Sequence, residues 1–244
     1  TNPSRYGDVL SAIKNAGGAQ DVDMQLRQAL ALEAFEHTAA YDVAISQELH
    51  RRVVGDPALF SSMEEQRERL PASMLAASHR VDTLRYGENG HQAAALYVNH
   101  DAPETHSTLV TARVEGGKAM SYNNYSDADA TLRLCRSLST DEWPNTPHAC
   151  VIVKHNNPCG AALASTQREA FEMALASDPE SAFGSIICFN EIVETSTAKA
   201  VGNLFVEVMM APGYTDEAKS VLMEKKNRRL LTIDSPHDRL EPLQ

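Results

Sequence analysis

The sequence predicts a layered α/β protein with a largely parallel sheet, preceded by a helical segment. Three observations carry that prediction. From about residue 109 to residue 233, short apolar runs alternate with amphipathic stretches, the pattern of βαβα units. Two of the runs, Cys-Val-Ile-Val-Lys at 150–154 and Ser-Ile-Ile-Cys-Phe at 185–189, have no polar alternation, as strands covered on both faces require. The first 55 residues lack such runs and carry helical spacing instead.

Taken in order, residues 6–16 read as a helix stopped by Gly17-Gly18, which suits a helix C-terminus. Asp21 is a candidate cap for a long helix whose Leu26, Leu30 and Phe35 form an apolar stripe, either core or a contact element. That helix runs to about Val54, where Gly55-Asp56-Pro57 breaks it. Residues 56–80 are polar, with the charged cluster Glu64-Glu65-Gln66-Arg67-Glu68-Arg69, and read as a solvated helix or linker containing a domain boundary. Ala93–Val98 is strand-like, and Leu109–Val114 reads as a strand. Asp127–Leu138 reads as a helix capped by Ser126 or Asp127. After the strand at 150–154 come a helix at Thr166–Ala176, the strand at 185–189 and a helix at Thr195–Leu204. A strand at Val206–Met210, a helix at Thr215–Lys226 and a strand at Leu230–Ile233 complete the alternation.

Composition narrows the function classes. Aromatics are 6% of 244 residues, so the core rests on Ala, Val, Leu and Ile. The net charge of -11 repels a polyanion, so no nucleic-acid role is expected, whereas a small phosphorylated substrate needs only a few focused cations. Cys135, Cys150, Cys159 and Cys188 have neither zinc-ribbon spacing nor the density of a disulfide scaffold, so reduced cytosolic thiols are expected. No apolar run approaches the 18 residues of a membrane span, and no signal-peptide pattern opens the chain. Because the first residue is Thr1 and not Met, an N-terminus that is processed, cloned or cut from a longer protein is expected.

Chemistry concentrates in three segments. Lys154-His155-Asn156-Asn157-Pro158-Cys159-Gly160 follows the most apolar strand, and open α/β sheets bind ligands beyond the carboxyl ends of their strands. By residue type alone a structural histidine is the commoner reading there. The adjacent lysine favours chemistry, since it offers a cation for a developing oxyanion beside a base that titrates near neutrality. Arg85-Tyr86-Gly87-Glu88-Asn89-Gly90-His91-Gln92 pairs a phosphate-binding side chain with turn glycines, or is an ordinary turn before a strand. Asp178 to Gly184 is either a backbone cradle or a plain helix-to-strand connection. Gly116-Gly117-Lys118 lacks the first Gly and the Ser/Thr of a phosphate loop. Pro158-Cys159 echoes the zinc-deaminase signature, but position 162 is Ala and Asn157 stands where the Glu would be needed, so no metal is expected.

Six segments together resemble the AICAR transformylase/IMP cyclohydrolase family: residues 34–42, Arg85 to Gln92, Gly117 to Asn124, Val153 to Gly160, Ser181 to Gly184, and Phe205 to Gly213. They stand in family order across nearly the whole chain. The resemblance implies formyl transfer from 10-formyltetrahydrofolate to the 5-amino group of aminoimidazole carboxamide ribotide (AICAR), with IMP cyclohydrolase activity in a preceding domain. It implies a cytidine-deaminase-like layered sheet, without zinc, with helices on both faces. Residues 1–55 would be the cyclohydrolase tail and a connecting helix, 56–79 a linker, and 80–244 the first part of the transformylase domain. His155 matches the catalytic base and Lys154 the cation beside it. Arg85 and Tyr86 match nucleotide-binding positions, Gly184 a substrate-contacting glycine, and Glu207 an acidic residue near the ribose. Gly90 departs from the Pro or Ser of many relatives and loosens that turn. No tightly bound cofactor, a cytoplasmic homodimer with sites shared across its interface, and folate contacts outside these residues are also implied. The competing expectations are a catalytically inert, dimer-forming module and a zinc-dependent deaminase on the same fold.

Overall fold

The structure is a computed structural model that describes residues 2–55, 67, 70, 72–100, 108–138 and 145–233. The chain divides into two units, Thr1–His79 with Val98–Ala102, and Arg80–Tyr97 with Pro103–Gln244.

In the first unit, α1 (Tyr6–Ala16) ends as predicted at Gly17, whose φ of 82° is the left-handed conformation glycine adopts without strain. The long helix α2 (Met24–Val54) starts later than predicted. Residues 19–21 are taken up by a short 3-10 turn, so Asp23, not Asp21, is the capping residue, and its side chain makes no capping bond. Gly55 closes the helix, its N–H bonding to the carbonyl of Arg51. Arg5 pairs with Glu33 at 3.2 Å and ties α1 to α2. No residue of either helix is buried, and Phe35 is 75% exposed, so α1 and α2 do not form a core of their own. The charged cluster at 64–69 lies almost entirely outside the described residues.

β1 (Ser78–Leu84) and β2 (Ala94–Asn99) form a two-stranded sheet. β1 escapes sequence reading because six of its seven residues are exposed and polar residues dominate it. The remaining strands are β3 (Arg113–Gly116), β4 (His148–Lys154), β5 (Asn157–Ala164), β6 (Ser185–Phe189), β7 (Val206–Ala211) and β8 (Arg229–Thr232). They form one sheet in the order β3-β8-β7-β6-β4-β5. Successive side chains alternate across it. Val151, Val153, Ile186, Cys188, Val208, Met210 and Leu231 meet Ala128, Leu132 and Cys135 of α3 (Tyr122–Ser137). Cys150, Ile152, Ile187, Phe189, Met209 and Leu230 belong to the opposite core. That core takes in Phe171 and Ala174 of α4 (Gln167–Ser177), Ala198 and Val201 of α5 (Thr195–Val201), and Ala218 and Leu222 of α6 (Asp216–Met223). Helices therefore cover both faces.

The sheet is mixed, not largely parallel. β6–β7 and β7–β8 run parallel, whereas β3–β8, β4–β6 and β4–β5 run antiparallel. A run without polar alternation reports cover on both faces; it carries no information about strand direction. Boundaries shift too. Residues 109–111 form a turn, and the strand predicted there begins only at Arg113. Helix α3 starts at Tyr122, five residues before Asp127, because Ser121 and Asn124 close a capping box. The helix predicted to Leu204 stops at Val201 before Gly202, whose φ is 43°, and that predicted to Lys226 stops at Met223.

Glu115 fastens β3 to its neighbours. It accepts hydrogen bonds from Lys219 Nζ on α6 at 2.6 Å, Arg113 Nε at 2.7 Å and Thr232 Oγ1 at 3.2 Å. Lys219 first, then Arg113, holds its carboxyl down to about 2 from the ordinary 4.5. A depressed carboxyl stabilises the fold above the unfolded value and loses that contribution as pH falls through the folded one. Glu115→Gln is therefore expected to lower the thermal midpoint by about 2–4 °C at pH 7. The difference should shrink between pH 4.5 and pH 2. Equal midpoint differences at both ends of that range refute the linkage.

Candidate active site

β4 carries Val151, Ile152 and Val153 through the buried interior and surfaces at Lys154. The chain then reverses in two residues, His155 (φ 52°) and Asn156 (φ 61°), and returns as β5, Lys154 pairing with Asn157. Positive φ at both central positions is what a two-residue hairpin matching the twist of its strands demands. The chemistry-bearing segment after the most apolar strand is thus a hairpin tip. Pro158 is tolerated in β5 because β5 is an edge strand. Asn and His are among the residues that enter the left-handed region most readily, yet for any L side chain it costs about 1–2 kcal/mol. Asn157 Nδ2 donates to the His155 carbonyl at 2.8 Å, and the Asn156 backbone N–H donates to Asp127 Oδ1 at 2.8 Å. With its amide turned so that the nitrogen meets acceptors, Asn156 also reaches the Asp127 carboxylate at 3.3 Å and the Ser126 carbonyl at 3.0 Å.

The His155 side chain is exposed, and its imidazole has no hydrogen-bond partner among the described residues. Lys154 is half-buried, and its ammonium donates to the carbonyl of Phe183 at 2.8 Å. Gly184 follows at a φ of 78°, its N–H bonded to the Phe205 carbonyl at 2.7 Å, while the rings of Phe183 and Phe205 lie 5.1 Å apart. The peptide before Gly184 is therefore gripped from both sides, by Lys154 and by the start of β7. Glu207, half-buried near the start of β7, accepts from Arg229 at 2.8 Å and Asn124 Nδ2 at 3.4 Å. The segment before Gly184 is tied down by Asp178, whose carboxylate accepts the Ser181 N–H at 3.0 Å; hydrogen bonding from Ser181, its side chain first and then this N–H, pulls the Asp178 carboxyl below the usual range.

Arg85 is exposed, its guanidinium carbon 5.6 Å from the centre of the Tyr86 ring. The turn behind it is closed by Gly87 N–H to the Gln92 carbonyl at 2.8 Å, and a Cβ on Gly87 would meet Gln92 Cβ at 2.9 Å. Gly90 faces open space, so a side chain there would meet nothing. The loop approaches the start of α3 through Asn123 Nδ2 and the Glu88 carbonyl, 3.5 Å apart.

The pairing register places Lys154, Gly184, Glu207 and Arg229 along one rim of the sheet. That rim is the carboxyl end of β4 but the amino end of β6, β7 and β8, which corrects the expectation of carboxyl ends alone. Antiparallel pairing of β4 with β6 is the reason. Three rim residues went unrecognised in the sequence. Asp127, a cap candidate by sequence, sits a turn and more inside α3. Asn124 was hidden in the unrecognised capping box. Arg229 had a visible signal, a basic pair with Arg228 opening an apolar strand, and its side chain is only 11% exposed.

Cys159 is half-buried beside this rim, and burial pushes its thiol up. Among the described residues no three His, Cys, Asp or Glu side chains gather as a metal-binding group. No helix among them is long and apolar enough to cross a membrane.

The sequence matches, over residues 1–243, a family model described as AICARFT/IMPCHase bienzyme. It is 42% identical over 235 residues to the bifunctional purine biosynthesis protein PurH of Persephonella marina, covering 95% of this chain and 41% of that protein. It is 41% identical over 239 residues to the protein of the same name in Rhodopirellula baltica, covering 96% and 41%. For the one in Desulfitobacterium hafniense the identity is 39% over 232 residues, covering 95% and 41%. The chain thus spans about two-fifths, 41%, of the length of these curated relatives.

Proposed function

This chain belongs to the AICARFT/IMPCHase bienzyme family, and from that premise we propose that it carries the base and cation of a formyl transfer in purine biosynthesis. The donor is 10-formyltetrahydrofolate and the acceptor the 5-amino group of AICAR. The observation that carries this reading is the hairpin tip, which lifts Lys154 and His155 out of a buried strand beside Gly184 and Glu207. The acceptor amine is weakly nucleophilic because its lone pair is delocalised into the imidazole carboxamide. His155 removes its proton as the nitrogen attacks the formyl carbon. Lys154 spends one N–H on Phe183, and its other two can steady the tetrahedral oxygen. Collapse breaks the bond to the folate nitrogen, which leaves with a proton as tetrahydrofolate.

Arg85 holds the nucleotide phosphate, with Tyr86 beside it. The turn before Gly184 contacts the substrate through its backbone. Glu207 keeps lone pairs for ribose hydroxyls while Arg229 and Asn124 hold its carboxylate in place. The same reading makes residues 80–244 the first part of a cytidine-deaminase-like transformylase domain, 56–79 a linker, and 1–55 the tail of a cyclohydrolase domain. The whole protein would be a cytoplasmic homodimer with IMP cyclohydrolase activity and no tightly bound cofactor.

The test uses the protein expressed from its full reading frame. With AICAR and 10-formyltetrahydrofolate, tetrahydrofolate should form with saturation in both substrates; no turnover above the uncatalysed rate overturns the reading. In that assay Arg85→Ala should raise KM for AICAR by about tenfold or more, the effect of losing a charge-assisted hydrogen bond to phosphate. An unchanged KM removes Arg85 from the phosphate site.

A further inference from the structure

The geometry points to Asp127 as the positioning residue of the formyl-transfer base: its carboxylate clamps the hairpin tip that presents His155. The inference rests on the formyl-transfer reading. A two-residue turn with His155 at φ 52° and Asn156 at φ 61° uses two non-glycine residues in a region that L side chains disfavour. Such a turn persists where its surroundings over-determine it. Here the determinant is Asp127, on α3, 29 residues away in sequence from Asn156. It accepts the Asn156 backbone N–H at 2.8 Å, the first amide after His155. It also faces the Asn156 side-chain nitrogen at 3.3 Å, while Ser126 Oγ lies 3.0 Å from the same amide.

Helix α3 is a firm base for this clamp. Ala128, Thr131, Leu132 and Cys135 are buried, and Thr131 Oγ1 donates to the Asp127 carbonyl at 2.6 Å. Asp127 is itself half-buried and sits a turn beyond the capping box. By contrast the His155 side chain has no partner among the described residues, so the position of its imidazole depends on its backbone. The Asp127 carboxylate thus sets where the base stands without touching the reacting atoms. Displacement of a reacting group by about 1 Å costs on the order of a hundredfold in rate.

The test compares Asp127→Ala, Asp127→Asn and His155→Ala in the full-length enzyme. Asp127→Ala should lower kcat for formyl transfer by about ten- to a hundredfold, with KM for AICAR within about threefold of wild type. Asp127→Asn keeps an oxygen for the Asn156 N–H and should restore most of that turnover. Hydrogen exchange at the Asn156 amide should speed up in Asp127→Ala and stay slow in Asp127→Asn. Should Asp127→Ala be insoluble, Asp127→Ser, too short to reach the amide, replaces it. Wild-type kcat in Asp127→Ala, or an Asn variant as impaired as the Ala variant, overturns the clamp. If instead His155→Ala retains wild-type turnover, it is the formyl-transfer reading that fails.

Discussion

His155→Ala should lower formyl-transfer turnover by at least about a hundredfold, the lower range of what a positioned acid–base group contributes. The fall should appear in kcat and kcat/KM together, because proton removal develops in the transition state. Stability should fall by no more than about 1 kcal/mol: the side chain is exposed and without partners among the described residues, and the cost comes from an alanine in the left-handed backbone of position 155. His155→Asn is the informative companion. Asn is among the residues best suited to the left-handed backbone that position 155 adopts, so it keeps the turn while removing the imidazole. Both variants should be equally slow, and both should leave cyclohydrolase turnover of the same protein intact. A fast Asn variant beside a slow Ala variant would mean that the turn matters and the imidazole does not.

Gly160→Ala should be the most destabilising single-methyl change near the site. Gly160 faces Ile152 across the β4–β5 hairpin and is buried. A Cβ there would lie 1.9 Å from the backbone carbonyl oxygen of Ala174 and 3.1 Å from Ser177 Cβ. Backbone of β5 and backbone of α4 are in direct contact at this point. A carbonyl cannot rotate aside as a side chain can, so α4 must move away and loosen Phe171 and Ala174 from the core. Overpacking of this kind costs about 3 kcal/mol, which lowers the thermal midpoint by about 6–12 °C in a chain of this size. An unchanged midpoint would show that β5 and α4 stand farther apart. Formyl transfer should suffer as well, since β5 is the returning arm of the hairpin that carries His155.

Much of this was legible in the residues. The strands at 150–154, 185–189 and 206–210 sit where short apolar runs predicted them, extending by two residues before 150 and one after 210. The end of α1 followed from a glycine whose left-handed φ other residues avoid. The chemistry-bearing residues were visible as polar groups abutting buried strands. His155-Asn156 follows a buried strand as a turn would, but the returning strand β5 contains Pro and Gly, which weaken its strand signature. Strand direction left no trace at all.

The sequence alone determined which segments would be buried, because covering a strand on both faces requires apolar side chains on both faces, and that requirement is written locally. Only the tertiary structure decided that β4 runs against β6. That choice brings the carboxyl end of β4, carrying Lys154 and His155, to the same rim as the amino ends of β6 and β7, carrying Gly184 and Glu207. It also decided that Asp127, on a helix 29 residues away, should hold the turn at Asn156. Pairing direction and such long-range hydrogen bonds depend on the joint packing of segments distant in the chain, which no local run of residues encodes.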